Sequence, residues 1–259
     1  MTRHYSPRRI LITGASGGLG SALARFYARP GVALILWGRD KARLAAVAED
    51  CRAAGAIAET HSLDLRDVTG AVAALLAEDE SLPLELALFV SGVGDIRAAG
   101  DNVEDPELVA RLGTINFVAP AALAAALAAR MAARGEGRIV LVGSAAAFHA
   151  LPFAAAYSGS KAGLARFADA LRLGVREHGV KVTLVSPGFI DTPAGRQVPG
   201  PKPLMLAPQA AAACIAGAAA RGRAHAIMPW PFSALRLLDR LLPASWRDRL
   251  LLSLTPPQH

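Results

Sequence analysis

Arg9-Ile10-Leu11-Ile12-Thr13-Gly14-Ala15-Ser16-Gly17-Gly18-Leu19-Gly20 is the stretch on which the fold turns. Residues 9–13 form a short apolar run that suits a buried strand, and an apolar helical pattern covers residues 18–28. A glycine-rich turn joins them. At a strand end such a turn lets the backbone approach a pyrophosphate, and the helix that follows aims free N–H groups and its positive dipole end at the same point. A lone glycine turn would have a bland explanation; a strand before it and a helix after it remove most of its force. Gly14, Ser16, Gly18, Leu19 and Gly20 are therefore candidate contacts for a dinucleotide.

The same alternation runs outward from this unit. Further strands are expected at residues 33–37, 58–63, 86–90, 138–142 and 181–186, and helices at 40–54, 68–77, 106–134 and 154–178. Strands alternating with longer helices predict βαβ units and hence a Rossmann-type, doubly wound parallel sheet in an α/β chain, with ligands outside the carboxyl ends of the strands. The 259 residues, 53% of them hydrophobic, suffice for one domain with a sizeable core. The expected division is a cofactor-binding and catalytic domain over 1–228 with an amphipathic helical extension over 229–259. Prolines at 193, 199, 201, 203 and 208 are expected to forbid a regular helix there and to leave a loop that could cover a pocket.

Composition narrows the class. Cys51 and Cys214 are too few for a disulfide framework, lack metal-ligand spacing and look like buried apolar residues in a reducing compartment. The apolar run after Arg3, Arg8 and Arg9 is too short for a signal peptide, and the charge-free stretch 117–129 is too short to span a bilayer. A cytoplasmic protein is expected. The net charge of +7 invites a nucleic-acid partner, but arginines are interleaved with acids through the first two hundred residues and no nucleic-acid motif is present.

About twenty residues past the glycine turn, where an NAD site places an acid for the ribose 2′-hydroxyl, the chain has Trp37-Gly38-Arg39-Asp40. Without a carboxylate at Gly38, and with Arg39 beside it, a 2′-phosphate is favoured, so NADP (NADPH) is the expected cofactor. Asp40 could serve the ribose, though a helix N-cap is the simpler role.

Ser144 follows the fifth strand, and Tyr157 and Lys161 stand four residues apart, on one face of a helix. Reducing a carbonyl needs a proton donor for the developing alkoxide; a tyrosine can serve if a neighbouring ammonium lowers its pKa, and a serine can hold the carbonyl oxygen. A tyrosine and lysine at this spacing are a weak signal alone. With Ser144 and the glycine turn, the chain resembles the short-chain dehydrogenase/reductase family up to about Pro229, through residues 13–20, Leu63-Asp64-Leu65, Asn116, residues 142–144, residues 157–161 and residues 186–192. The resemblance implies that Asp64 and Leu65 contact the adenine. It gives Asn116 the fourth catalytic place, holding a water that relays protons toward Lys161, and has Lys161 also hold the nicotinamide ribose. Pro187, Gly188, Ile190 and Thr192 would orient the carboxamide, and a homo-oligomer would form through the helices at 106–134 and 154–178. Where the family shows Asn-Asn-Ala-Gly, this chain has Phe89-Val90-Ser91-Gly92. Gly92 persists beside the cofactor, but the bracing amides are lost, with reduced stability or cofactor affinity expected.

His149 is expected as a solvated loop histidine, and Phe148, Leu151 and Phe153 as an apolar wall for a hydrophobic carbonyl substrate. A nonenzymatic NADP-binding regulator on the same fold is the alternative. From Arg221 onward six arginines face Asp239 and Asp248, about +4 of the +7. There Leu235, Leu238, Leu242, Trp246 and Leu250 recur at helical steps, with Arg236, Arg240, Arg247 and Arg249 around them. Two short amphipathic helices broken at Pro243, the second capped by Ser245, would either pack on the domain or another subunit, or lie on an anionic membrane surface.

Overall fold

The structure, a computed structural model, describes residues 5–98, 101–198 and 200–253, without the side chains of residues 235 and 238–240. Strands β1 (Arg9–Thr13), β2 (Ala33–Gly38), β3 (Ile57–Ser62), β4 (Leu86–Phe89), β5 (Gly137–Val142), β6 (Val180–Pro187) and β7 (His225–Met228) form one parallel sheet in the order β3-β2-β1-β4-β5-β6-β7. The order reverses at β1, where a doubly wound sheet opens its ligand crevice. Strand β1 is central and covered on both faces, which is why all five of its residues are buried.

Alternate side chains feed two cores. Ile10 and Ile12, with Leu34 and Leu36, pack on α1 (Gly18–Tyr27), α2 (Lys41–Ala53) and α8 (Pro208–Ala220). Leu11 and Ile35, with Leu141 and Leu184, face the other way onto α3 (Val68–Ser81), α5 (Ala119–Arg134) and α6 (Ala155–Gly174). Helices α1 and α8 also pack against each other, and the alanines of α8 permit close approach. Asp40 caps α2, its carboxylate accepting the Arg43 N–H, as the simpler expectation had it. Asp79 at the end of α3 is buried, and Arg134, Arg130 and the Leu84 N–H satisfy it.

Several expectations are corrected. The helix over 106–134 is continuous but heterogeneous: α4 (Pro106–Gly113) passes through a π-helical turn, Thr114–Val118, into α5. Eighteen consecutive residues of this span average a hydropathy of 1.7, so by length and composition it could cross a membrane, which a reading confined to 117–129 overlooked; here Leu123, Leu127 and Met131 bury it against the sheet. The proline-rich segment does contain helix, because proline is welcome at a first helical position: Pro193 opens α7 (Pro193–Gln197), and Pro208 opens α8. Strand β7 and helix α8 were not anticipated. Cys51 is buried, but Cys214 is exposed. Two helices, α9 (Pro231–Leu241) and α10 (Ala244–Ser253), flank Pro243 as expected, but Ser245 lies inside α10 and the Pro243 carbonyl takes the first N–H bonds, from Trp246 and Arg247.

Candidate active site

A groove of about 550 Å³ opens over the carboxyl ends of β1, β4, β5 and β6. Its phosphate end is backbone. Gly14 takes a positive φ of 69° and faces Ser91, and a side chain on Gly20 would run into the Gly14 carbonyl. Only bare backbone fits there, leaving the start of α1 open to an anion. Ser16, Gly18 and Leu19 line the same end, and Thr192 stands over Gly18. A dinucleotide pyrophosphate fits this cradle.

At the adenosine end lie Arg39, Asp64 and Leu65, joined by Arg43, which the sequence reading missed although it stands four residues beyond Arg39. A Cβ on Gly38 would come within 2.6 Å of the Ser16 hydroxyl. Arg43 is 3.2 Å from Asp40, and Arg66 is 2.6 Å from Asp64. Arg39 has no ion-pair partner among the described residues.

At the other end Ser144, Tyr157, Lys161, Gly92, Pro187, Gly188, Ile190 and Thr192 meet, all lining the groove. Ser144 accepts the Ala146 N–H at 3.1 Å, which fixes its rotamer at the strand end. Burial raises the Tyr157 phenol's pKa, and the neighbouring Ser144 hydroxyl offsets that rise only in part. Lys161, 4% exposed, donates to the Val142 carbonyl at 3.0 Å, and burial pushes its pKa down to about 8. The expected lowering of the tyrosine pKa by this ammonium is therefore not what the protein alone provides, because the ammonium is held against β5.

Asn116, fully buried, lies behind the groove in the π-helical turn. Its side chain accepts the Val93 N–H at 2.8 Å and donates to the Val93 carbonyl at 2.9 Å, with a longer contact to Ser160. A side chain on Gly92 would meet both Lys161 Nζ and Asn116 Oδ1, so these two groups face the same point. The missing amides after β4 have a substitute: the Thr13 hydroxyl accepts the Val90 and Ser91 N–H groups at 3.1 and 3.2 Å.

Phe148, Leu151 and Phe153 are half-buried but do not line the groove; its apolar wall is Val93, Ile190, Ala194 and Val198. Phe148 turns instead toward the C-terminal helices, with the Arg236 guanidinium 4.9 Å from its ring centre. His149 is half-buried, edge-on to Phe148. Arg236, expected on an outer charged face, points inward and also contacts His225 Nδ1 at 3.2 Å. Phe232 packs on Gly188, so α9 backs the cofactor groove itself. Of the anticipated outer stripe, Trp246 and Leu250 are exposed and Leu242 is half-buried; the side chains of Leu235 and Leu238, and that of Arg240, lie outside the described residues.

A phenol and a buried lysine beside a dinucleotide groove on a doubly wound sheet mark an oxidoreductase that works between an alcohol and a carbonyl with a nicotinamide cofactor. The sequence profile described as short chain dehydrogenase matches residues 8–201, and the chain belongs to that family. It is 33% identical over 239 residues to an uncharacterized oxidoreductase of Myxococcus xanthus, covering 92% of this chain and 94% of the relative. A dehydrogenase/reductase SDR family protein 7-like of Anopheles gambiae is 35% identical over 199 residues, 73% of this chain but 61% of that longer protein. A short-chain dehydrogenase from Sphingobium yanoikuyae, solved in complex with NADPH, superimposes with a TM-score of 0.79 at 27% identity, covering 92% and 97% of the two chains.

Proposed function

We propose that this protein is an NADP-dependent carbonyl reductase or alcohol dehydrogenase for a hydrophobic substrate. The observation that carries this is the meeting of Ser144, Tyr157 and Lys161 in the lining of one groove, with Tyr157 and Lys161 one helical turn apart on α6. When bound, the nicotinamide supplies or accepts the hydride. The chain's own groups do the rest. Ser144 donates to the substrate oxygen and orients it, while Tyr157 gives its phenolic proton to that oxygen as negative charge develops. Lys161 places a positive charge in a dry site, where it favours the phenolate left behind. Asn116 anchors Val93 in the wall and faces the same point as Lys161. A nonenzymatic regulator would have no use for a proton donor here.

Preference for NADP is supported by the adenosine end. The Ser16 hydroxyl occupies the space that a side chain at Gly38 would need, so no acid can stand there to repel a 2′-phosphate, and the exposed Arg39 beside it has no ion-pair partner among the described residues. Asp64 and Leu65 would flank the adenine, and Ile190 and Thr192 the carboxamide. Val93, Ile190 and Val198 suit an apolar substituent on the substrate. A homo-oligomer, a cytoplasmic location and a division of labour between residues 1–228 and the extension complete the proposal. The extension would touch an anionic lipid surface through Trp230 and Trp246, 77% and 67% exposed beside the local arginine excess.

Tyr157→Phe tests the central claim. Turnover of any accepted carbonyl should fall by at least about a hundredfold with NADPH binding nearly unchanged. Turnover within a few-fold of the parent would remove the phenol from the chemistry.

A further inference from the structure

We propose that Glu104 is a positioning residue for the catalytic helix, capping α6 from another part of the chain and so setting where Tyr157 stands relative to Ser144. This rests on the role given to Tyr157 above. Helix α6 begins without a cap of its own: Ala154 occupies the N-cap position and has no side chain that could accept a bond. Helices normally place a serine, threonine, aspartate or asparagine there, because the first N–H groups have no partner inside the helix. Here the partner comes from 52 residues upstream. Glu104 Oε2 accepts the Ala156 N–H at 2.6 Å, one residue before Tyr157.

Two neighbouring acids thus divide their work. Asp105 caps its own helix, α4, accepting from Glu107 and Leu108, while Glu104 turns the other way and caps α6. Among the described residues, the segment they end is tied to its surroundings along its length, Asp95 pairing with Arg111 of α4 at 2.8 Å. Its root, Val93, is clamped by Asn116; its middle is held by the Arg97 N–H on the Phe153 carbonyl at 3.0 Å; its end is Glu104 on Ala156. The start of that segment, Val93 and Gly94, lines the groove. Its position and the first turn of α6 are consequently set together.

The second carboxylate oxygen separates positioning from plain stabilisation. Glu104 Oε1 is buried with no hydrogen-bond partner among the described residues. Burying an unpaired carboxylate oxygen is costly, and the positive end of α6 offsets only part of that cost. The residue should therefore contribute little to global stability while fixing the geometry of one turn.

The test compares the full-length parent with Glu104→Ala, Glu104→Gln and, in parallel, Tyr157→Phe. Glu104→Ala should lower kcat about tenfold while the NADPH dissociation constant stays within about twofold and Tm is little changed. Amide exchange should accelerate over residues 154–160 and not over residues 165–174. Glu104→Gln keeps an acceptor oxygen and should restore kcat to within about threefold of the parent. Parent-like kcat and protection in Glu104→Ala would overturn the proposal, as would failure of Glu104→Gln to rescue, or joint loss of Tm and NADPH binding. If Tyr157→Phe stays active, the catalytic assignment fails instead, and the exchange measurement still decides whether Glu104 caps α6.

Discussion

Removing the Arg39 guanidinium should narrow the gap between NADPH and NADH, and the structure sets the size of the effect. Three arginines sit near the adenosine end, but Arg43 is 3.2 Å from Asp40 and Arg66 is 2.6 Å from Asp64. Arg39 has no ion-pair partner among the described residues, and on the proposed reading it meets the 2′-phosphate. Hydrogen bonds to a charged group are worth about 1.5–3 kcal/mol, or roughly 10- to 150-fold in affinity. Arg39 is exposed, and solvent and salt screen it, so the lower part of that range applies: a loss of roughly 10- to 30-fold for NADPH in Arg39→Ala, with NADH nearly unaffected. Trp37 lines the groove, so quenching of its fluorescence can follow both titrations. The NADPH advantage should also shrink as salt is raised. Equal affinity of the parent for the two cofactors, or equal weakening of both by Arg39→Ala, would refute the assignment of this end of the groove.

Other consequences are equally open to measurement. Because burial holds the Lys161 pKa down to about 8, kcat/KM for NADPH, which reports the free enzyme, should decline above that pH as the ammonium loses its proton; a profile flat to pH 10 would contradict it. Burial alone would raise the Asp79 pKa, yet the bonds from Arg134, Leu84 and Arg130 hold it below the usual carboxylate range. Its stabilising contribution is therefore complete above the ordinary aspartate pKa and lost as pH falls through the lower folded value. Asp79→Ala, which takes the carboxylate from Arg134 and the acceptor from the Leu84 N–H, should cost about 3–5 kcal/mol in urea unfolding, and a loss under 1 kcal/mol would show the network to be dispensable. Flotation with anionic liposomes at low salt should recover the parent and lose Trp230→Ser/Trp246→Ser; a parent that stays unbound ends the membrane proposal.

The parts legible in the sequence were those with a local physical signature. The apolar run of β1, the glycine turn and the Tyr157–Lys161 spacing are each decided within a few residues. Features set by distant partners were not. Strand β7 is four residues long and is recognisable only as a neighbour of β6; α8 hid behind Pro208, which opens the helix rather than breaking it. Nothing in the sequence says that Thr13 braces the turn after β4, that Arg236 folds inward onto Phe148, or that Ala154 borrows its cap from Glu104. The π-helical turn that carries Asn116 sits inside a sequence that looks uniformly α-helical.

The packing of α1 on α8 also bears on how the chain acquires its activity. The two helices begin ~190 residues apart, so a very large loop must close before they meet, and contacts of such separation form late. The glycine turn is local and can form early, and β1, β2 and α2 offer α1 part of its seat, but the helix whose N-terminus faces the phosphate cradle is fully seated only when α8 arrives. Nucleotide binding should then be among the last properties to return during refolding, lagging the recovery of secondary structure. A refolding intermediate rich in helix and sheet would remain blind to NADPH.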